Sequence, residues 1–279
     1  MGSAIAETMA EKDTNVTVWN RTPERAEELV GPNVTVSESV EEAVANSPIA
    51  IVAVAGYDVA RPLLEEARES LRGKTVVGLS FVTPEQAATL DELTRSVDGR
   101  YLDLDILGYP TDVREGSAFL YVSGDRAAFE DGRGVLARLG ENRYVSPTPG
   151  AAFISSMALL LPYLPMAVGL FQGAAVCERR GLPLEWYADQ VRELYAHHLD
   201  ELLETIVADV DPADPTNVEA SVRTWADGAA EYAAYLESEG LDAGMYEAIH
   251  RLFEAEIDAG RGDHDWTSIG RASTDGSRG

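Results

Sequence analysis

The stretch Val16-Thr17-Val18-Trp19-Asn20-Arg21-Thr22-Pro23-Glu24-Arg25 reads as a short strand, a turn and the start of a helix opened by proline. β-Branched residues favour the strand, and Pro23 suits a first helical position, where its missing N–H would have no partner. A strand running straight into a helix is the repeating unit of a doubly wound α/β sheet. In such sheets the end of the second strand faces the adenosine ribose of a bound dinucleotide. Asp or Glu there accepts from the 2'-hydroxyl of NAD, whereas Arg pairs with the 2'-phosphate of NADP. Here the position holds Asn20, Arg21 and Thr22, with Arg25 one turn further on, and no carboxylate stands at the ribose position. The residues predict NADPH as cofactor. A solvated arginine after a strand is the plainer alternative, and it weighs more for Arg25 than for Arg21.

Upstream, Met1-Gly2-Ser3-Ala4 leads directly into a helical stretch. A G-x-G-x-x-G phosphate turn needs a strand before it and a helix after it, and only the helix side is present. The distance from Gly2 to Asn20 matches the roughly 20 residues between glycine turn and ribose contact. The expectation is a nucleotide-binding sheet without its first, central strand, and as a result either weak NADPH binding or a neighbouring segment that fills the gap. Downstream, further strands are predicted over 34–36, 49–54, 75–79, 101–104 and 118–122, with helices after most of them. Thr83, Pro84 and Gln86 make a capping box on a proline-started helix. From about Pro149 only helices follow: 151–180, bent near Pro162 and Pro165; 184–208; 216–238, opened by a Thr216/Glu219 capping box; and 243–259. The acidic stretch 209–217 is a loop. The predicted fold is an α/β Rossmann-type domain over 1–148 lacking its first strand, then a long interdomain helix and an all-α domain over 149–270, with a tail at 271–279.

Composition narrows the partners. The 279 residues carry 48 acidic and 22 basic side chains, a net charge of -26, which argues against nucleic acid. The only two lysines are Lys12 and Lys74. A strongly acidic, lysine-poor surface suits concentrated salt, where screening shortens the reach of self-repulsion. The one cysteine, Cys177, cannot close an internal disulfide, consistent with a cytoplasmic location. The longest apolar run, 157–171, contains Pro162 and Pro165 and falls short of the roughly 20 residues of a membrane span, so no membrane partner is expected.

Several segments, taken in order and at their spacings, carry a resemblance. They are Met1-Gly2 with Ala4, Trp19 through Ala26, Gly56-Tyr57-Asp58, Thr83 through Ala87, Tyr101-Leu102-Asp103, and Ala259-Gly260-Arg261-Gly262 with Asp265. Over nearly its whole length the chain resembles the imine reductases and reductive aminases, within the wider group of 6-phosphogluconate and β-hydroxyacid dehydrogenases. The resemblance implies a helical C-domain that interlocks with a second subunit in a homodimer, with the active cleft between the two subunits. It places Gly2 at the pyrophosphate, Asn20, Arg21, Thr22 and Arg25 at the 2'-phosphate, and Val54, Ala55, Ser80 and Thr83 along the rest of NADPH.

In the β-hydroxyacid dehydrogenases the interdomain helix carries a Lys six residues after a glycine, and imine reductases usually have Asp or Tyr there. Counting from Gly150 puts Ser156 at that place, with Leu159 and Leu160 where the dehydrogenases have Asn. Reducing a carbonyl builds negative charge on oxygen and needs a donor or cation; an iminium starts positive and ends neutral. Loss of the lysine points toward reduction of C=N in a cyclic imine or iminium ion. The alternatives are a carbonyl reductase of the parent group and a non-catalytic NADP-binding scaffold. Ser156 either positions the substrate nitrogen or a water, or bonds back to its own helix. Tyr163, seven residues on and on the same face of a continuous helix, is either a donor or core packing. Trp186, Tyr187 and Trp225 either line the cleft or fill the core. His197 and His198, adjacent on a helix, should point apart, and no metal is expected.

Overall fold

The structure is a computed structural model that describes residues 1–29, 31–208 and 211–270. It divides into two compact units, Met1–Pro162 and Tyr163–Gly279. The first unit runs α1 (Gly2–Glu11), β1 (Val16–Val18), α2 (Pro23–Glu27), β2 (Val34–Val36), α3 (Val40–Ala45), β3 (Ile49–Ala53), α4 (Tyr57–Glu66), β4 (Thr75–Leu79), α5 (Pro84–Arg95), β5 (Arg100–Leu107), α6 (Pro110–Glu115), β6 (Ala118–Gly124), α7 (Arg126–Leu136), β7 (Gly140–Ser146) and α8 (Ala151–Leu160). The second contains α9 (Tyr163–Arg179), α10 (Leu184–Ala208), α11 (Val222–Ser238) and α12 (Gly244–Asp258).

Strands β3 to β7 form one sheet in sequence order, parallel except for the antiparallel β5–β6 pair. Strands β1 and β2 pair with each other in a separate parallel sheet. Among the described residues no ladder joins β1 to β3. Side chains alternate across each strand and feed two cores. Ile49, Ile51 and Ala53 of β3 pack with Val77, Leu102, Leu104 and Leu120 under Ala4, Ile5 and Met9 of α1. Ala50 and Val52 pack on the opposite side with Leu64, Val76, Leu90 and Tyr101. With both faces covered, these strands read as near-continuous apolar runs, which made them visible in the sequence.

Five departures from the sequence reading have physical causes. Strand β7 was not anticipated: only every second residue of its polar sequence is turned inward, as suits a strand at the sheet's edge. Strand β5 continues past Leu104 to Leu107 because its outer half pairs with β6. The single helix expected over 151–180 is two, with Leu161 and Pro162 between them; Pro162 has no N–H and its ring crowds the carbonyl four residues back. Pro165 sits in the first turn of α9, where its lost donor costs nothing. Because α8 packs on β5 and β6, the first compact unit reaches Pro162, past the compositional break at Pro149. Finally, α11 is capped by Ser221, whose side chain accepts from Thr224 N at 3.2 Å, and not by Thr216. The N–H and hydroxyl of Thr216 both turn back to Asp214 Oδ1, at 2.9 and 2.7 Å.

In the second unit α11 and α12 pack through Val222, Ala226 and Phe253, and Cys177 is a buried free thiol. No residue of the 25-residue α10 is buried. Ala151–Arg179 (29 residues) contains an 18-residue window of mean hydropathy 1.8, so by length and composition alone it is apolar enough to cross a membrane, and 11% of that window is buried. The predicted tail, 271–279, lies outside the described residues, as do residues 209 and 210 of the acidic loop.

Candidate cofactor-binding and active site

In a parallel sheet, ligands meet the loops beyond the strands' carboxyl ends. Two such loops, after β3 and β4, meet the start of α1 in the first unit, and a third follows β1. Gly2 begins α1 beside the end of β3: a Cβ placed on it would lie 3.5 Å from the Cβ of Ala53, an ordinary contact. No side chain caps α1, so its first-turn amides remain available to an anion. Val54 and Ala55 follow β3, and Ser80 follows β4 with its hydroxyl on the carbonyl of Val52 at 3.3 Å. Thr83 closes that loop as the anticipated capping box: its side chain accepts from Gln86 N, while its own N–H donates to Gln86 Oε1 at 2.9 Å. Beyond β1, Asn20 Oδ1 accepts from Thr22 N at 2.9 Å and tightens the turn. Thr22 makes no side-chain cap, and α2 has only five residues. Arg21 and Arg25 are exposed, and neither is in an ion pair among the described residues. Free guanidinium groups at the ribose end and free amides beside Gly2 fit the two ends of an NADP dinucleotide.

Next to these loops lies a second group that the sequence did not reveal. Residues 101, 103 and 105 of β5 share one sheet face. Asp103 is buried and takes the backbone N–H groups of Gly150 and Phe153 at the start of α8, with the Ser123 hydroxyl at 3.4 Å. Ser123 Oγ in turn accepts from Ala152 N at 3.0 Å. Asp103 thus acts as a remote cap that pins α8 to the sheet. Burial first, and the Asp105 carboxylate second, push its pKa up to about 6. Asp105 is partly exposed and accepts the hydroxyl of Ser156 from α8. Burial raises its pKa, and the bonds from Ser156 and the Ile106 N–H hold the rise in check. Phe81, in the loop after β4, packs edge-on against Phe153 of α8 at 5.3 Å and joins this group to the cofactor loops.

The structure therefore gathers Gly2, Val54, Ala55, Ser80, Thr83 and Ser156 at one end of one sheet. Asn20, Arg21, Thr22 and Arg25 stand beyond the separate β1–β2 pair. It corrects or decides several expectations. Ser156 is 3% exposed, and its hydroxyl is committed to Asp105. Tyr163 begins a new helix, so the seven-residue spacing no longer sets a shared face with Ser156. Tyr187 is a packing residue, its hydroxyl donating to the Leu170 carbonyl at 2.8 Å over Gly173, where a Cβ would collide with it. Trp225 stacks on Trp266, with centroids 5.2 Å apart, while Trp186 is half exposed. His197 and His198 do not point apart: both reach Glu201, at 3.4 and 2.9 Å, on an exposed face of α10. A signal for Asp105 was present in Tyr101-Leu102-Asp103-Leu104-Asp105, two acids at alternate positions of an apolar strand.

Comparison with known proteins bears on the family and the fold. Residues 1–147 match the NAD binding domain of 6-phosphogluconate dehydrogenase, and residues 148–273 match the NADPH-dependent reductive aminase-like C-terminal domain. The chain is 25% identical over 273 residues to an NADPH-dependent reductive aminase of Aspergillus oryzae, covering 96% of this chain and 92% of that protein. Among solved structures, the imine reductase from Myxococcus stipitatus in complex with NADP+ is 27% identical with a TM-score of 0.86, over 97% of this chain and 96% of that one. A reductive aminase from Aspergillus terreus in complex with NADPH and ethyl levulinate is 26% identical with a TM-score of 0.85, over 96% and 94%. Folded as a Rossmann-type domain followed by a helical one, the chain belongs to the NADP-dependent oxidoreductase family of the imine reductases and reductive aminases.

Proposed function

We propose that this protein reduces the C=N bond of cyclic imines or iminium ions to amines, with NADPH as hydride donor. The observation that carries the choice of C=N over C=O is the placement of the lysines. Lys74 stands before β4, at the opposite end of the sheet from the cofactor loops, with its Nζ on the Ala45 carbonyl at 2.9 Å. Lys12 lies just beyond α1, with its Nζ on the Arg138 carbonyl. Neither can supply the cation that a developing alkoxide needs, whereas the acidic group at Asp105 suits a substrate that carries positive charge. Supplying 1-pyrroline and other cyclic imines with NADPH, and a panel of hydroxyacids with NADP+, separates the two chemistries. Turnover of the imines supports the proposal, and turnover of the hydroxyacids alone refutes it.

The same reading includes a homodimer. Leu164 and Phe171 of α9 are 67% and 79% exposed, and Ile206 and Val207 of α10 are 74% and 86% exposed. Apolar surface on this scale calls for a partner, and a second copy of the chain supplies the self-complementary one. The free thiol of Cys177 and the acidic, lysine-poor surface support a cytoplasm rich in salt as its setting.

A further inference from the structure

We propose that Asp105, held in place by Ser156, is the catalytic acid that meets the substrate nitrogen. The assignment rests on C=N reduction as the reaction. Two observations carry it, both within the first compact unit. The first is the division of roles between the paired side chains. Ser156 is 3% exposed, and its single hydroxyl proton is taken by Asp105 with the Phe153 carbonyl also in reach at 3.1 Å, so it has no proton to offer a ligand. Asp105 is the partly exposed member.

The second observation is register. Strand β3 pairs Ala53 with Leu79, and β4 pairs Gly78 with Asp103. Continuing both ladders sets Val54, Ser80 and Asp105 level at the carboxyl end of the sheet, with neighbouring backbones about 5 Å apart. The carboxyl therefore stands one strand away from a loop that holds the cofactor. It is the neighbour a reacting C=N group would have beside a nicotinamide seated there.

The chemistry balances on that basis. A neutral imine accepts the carboxyl proton at nitrogen, and the resulting iminium N–H then faces the carboxylate. Reduced nicotinamide supplies the hydride, whose electron pair forms the new C–H bond. The C=N π pair moves onto nitrogen to give the amine. Asp105 regains its proton from water. Burial keeps this carboxyl protonated to higher pH than a surface aspartate, while the Ser156 bond favours the carboxylate. The surrounding groups are few. Asp103 lies two residues back on β5, and Tyr121 lies opposite on β6 with its hydroxyl taking Arg143 Nη1 at 2.9 Å. α8 brings Ser156, β4 brings Gly78, and Ser80 follows it; none of these carries a charge. Asp91 of α5 acts on Tyr101, and Asp131 of α7 pairs with Arg100, both toward the other end of the strand.

The test compares wild type with Asp105→Asn, Ser156→Ala and Ser156→Thr in the full chain, using 1-pyrroline for turnover and piperidine binding to the NADP+-loaded protein as a readout independent of turnover. Asp105→Asn should lower kcat by about a hundredfold or more, the scale of a lost acid catalyst. It should also weaken piperidine at least about tenfold, with NADP+ affinity within about twofold of wild type as the check on folding. Ser156→Ala should move the alkaline limb of the kcat/KM profile to higher pH, because the lost bond favoured the carboxylate, and Ser156→Thr should restore it. Wild-type kcat and piperidine affinity in Asp105→Asn, or no piperidine binding by wild type, would overturn the assignment. Wild type that binds NADP+ and piperidine yet reduces no imine would refute the proposed reaction, and piperidine affinity in Asp105→Asn would still decide the role of Asp105.

Discussion

Arg21 and Arg25 have no acidic partner among the described residues, although most arginines of the chain do, so their charge is available to the 2'-phosphate that distinguishes NADPH from NADH. A hydrogen bond between charged groups contributes about 1.5–3 kcal/mol. Arg21→Glu should therefore weaken NADPH roughly tenfold to a hundredfold while changing NADH by less than about threefold, as read by fluorescence titration. Equal losses would show that Arg21 does not meet the ribose phosphate. Asp103 makes a prediction about stability. Its folded pKa, about 6, lies above the ordinary 3.8, so its contribution is full below pH 3.8 and is lost as pH rises through 6. Relative to Asp103→Asn, the wild type should lose on the order of 3 kcal/mol between those limits in denaturant titrations, from about 1.4 kcal/mol per pKa unit. A pH-independent difference would contradict the assignment. The arginines were legible because their role depends on a local strand–turn–helix pattern. Asp105 was not, because its meaning depends on a partner 51 residues away in sequence.

The elements nearest the site owe their placement to close approaches that sequence patterns do not record. Gly150, at the start of α8, has a φ of +85°, and a Cβ there would stand 2.4 Å from Pro84 Cα at the start of α5. Both conditions require glycine. Gly150→Ala should cost at least about 2 kcal/mol in chemical denaturation, from the left-handed backbone alone plus the collision. A neutral substitution would mean that α5 and α8 do not meet in this way. Apolar runs revealed the interior strands β3 to β6, and the helical pattern revealed α10 and α12. Periodicity missed β7, whose inward positions are too few to stand out, and the division between α8 and α9, where apolar residues continue unchanged through Leu161 and Pro162. It also chose Thr216 as a cap, since Thr216 and Glu219 carry the right spacing, while Asp214 competes for the threonine's donors.

At the scale of the whole molecule, charge and exposed apolar surface make separate demands. Net charge of -26 on 279 residues is relieved by screening, so molar KCl should raise the thermal midpoint. A midpoint that falls steadily with added KCl would contradict salt adaptation. The exposed faces of α9 and α10 predict two copies of the 30.1-kDa chain by light scattering, and Leu164→Asp with Phe171→Asp should yield the single chain. A wild-type monomer would remove the dimer from the account. The central claim is hydride delivery from NADPH to the carbon of a C=N bond, and isotope transfer tests it directly. With NADPH carrying deuterium at both C4 positions and 1-pyrroline as substrate, mass spectrometry should find one deuterium in the pyrrolidine formed. Unlabelled pyrrolidine, or no pyrrolidine from protein shown to bind NADPH, would contradict it.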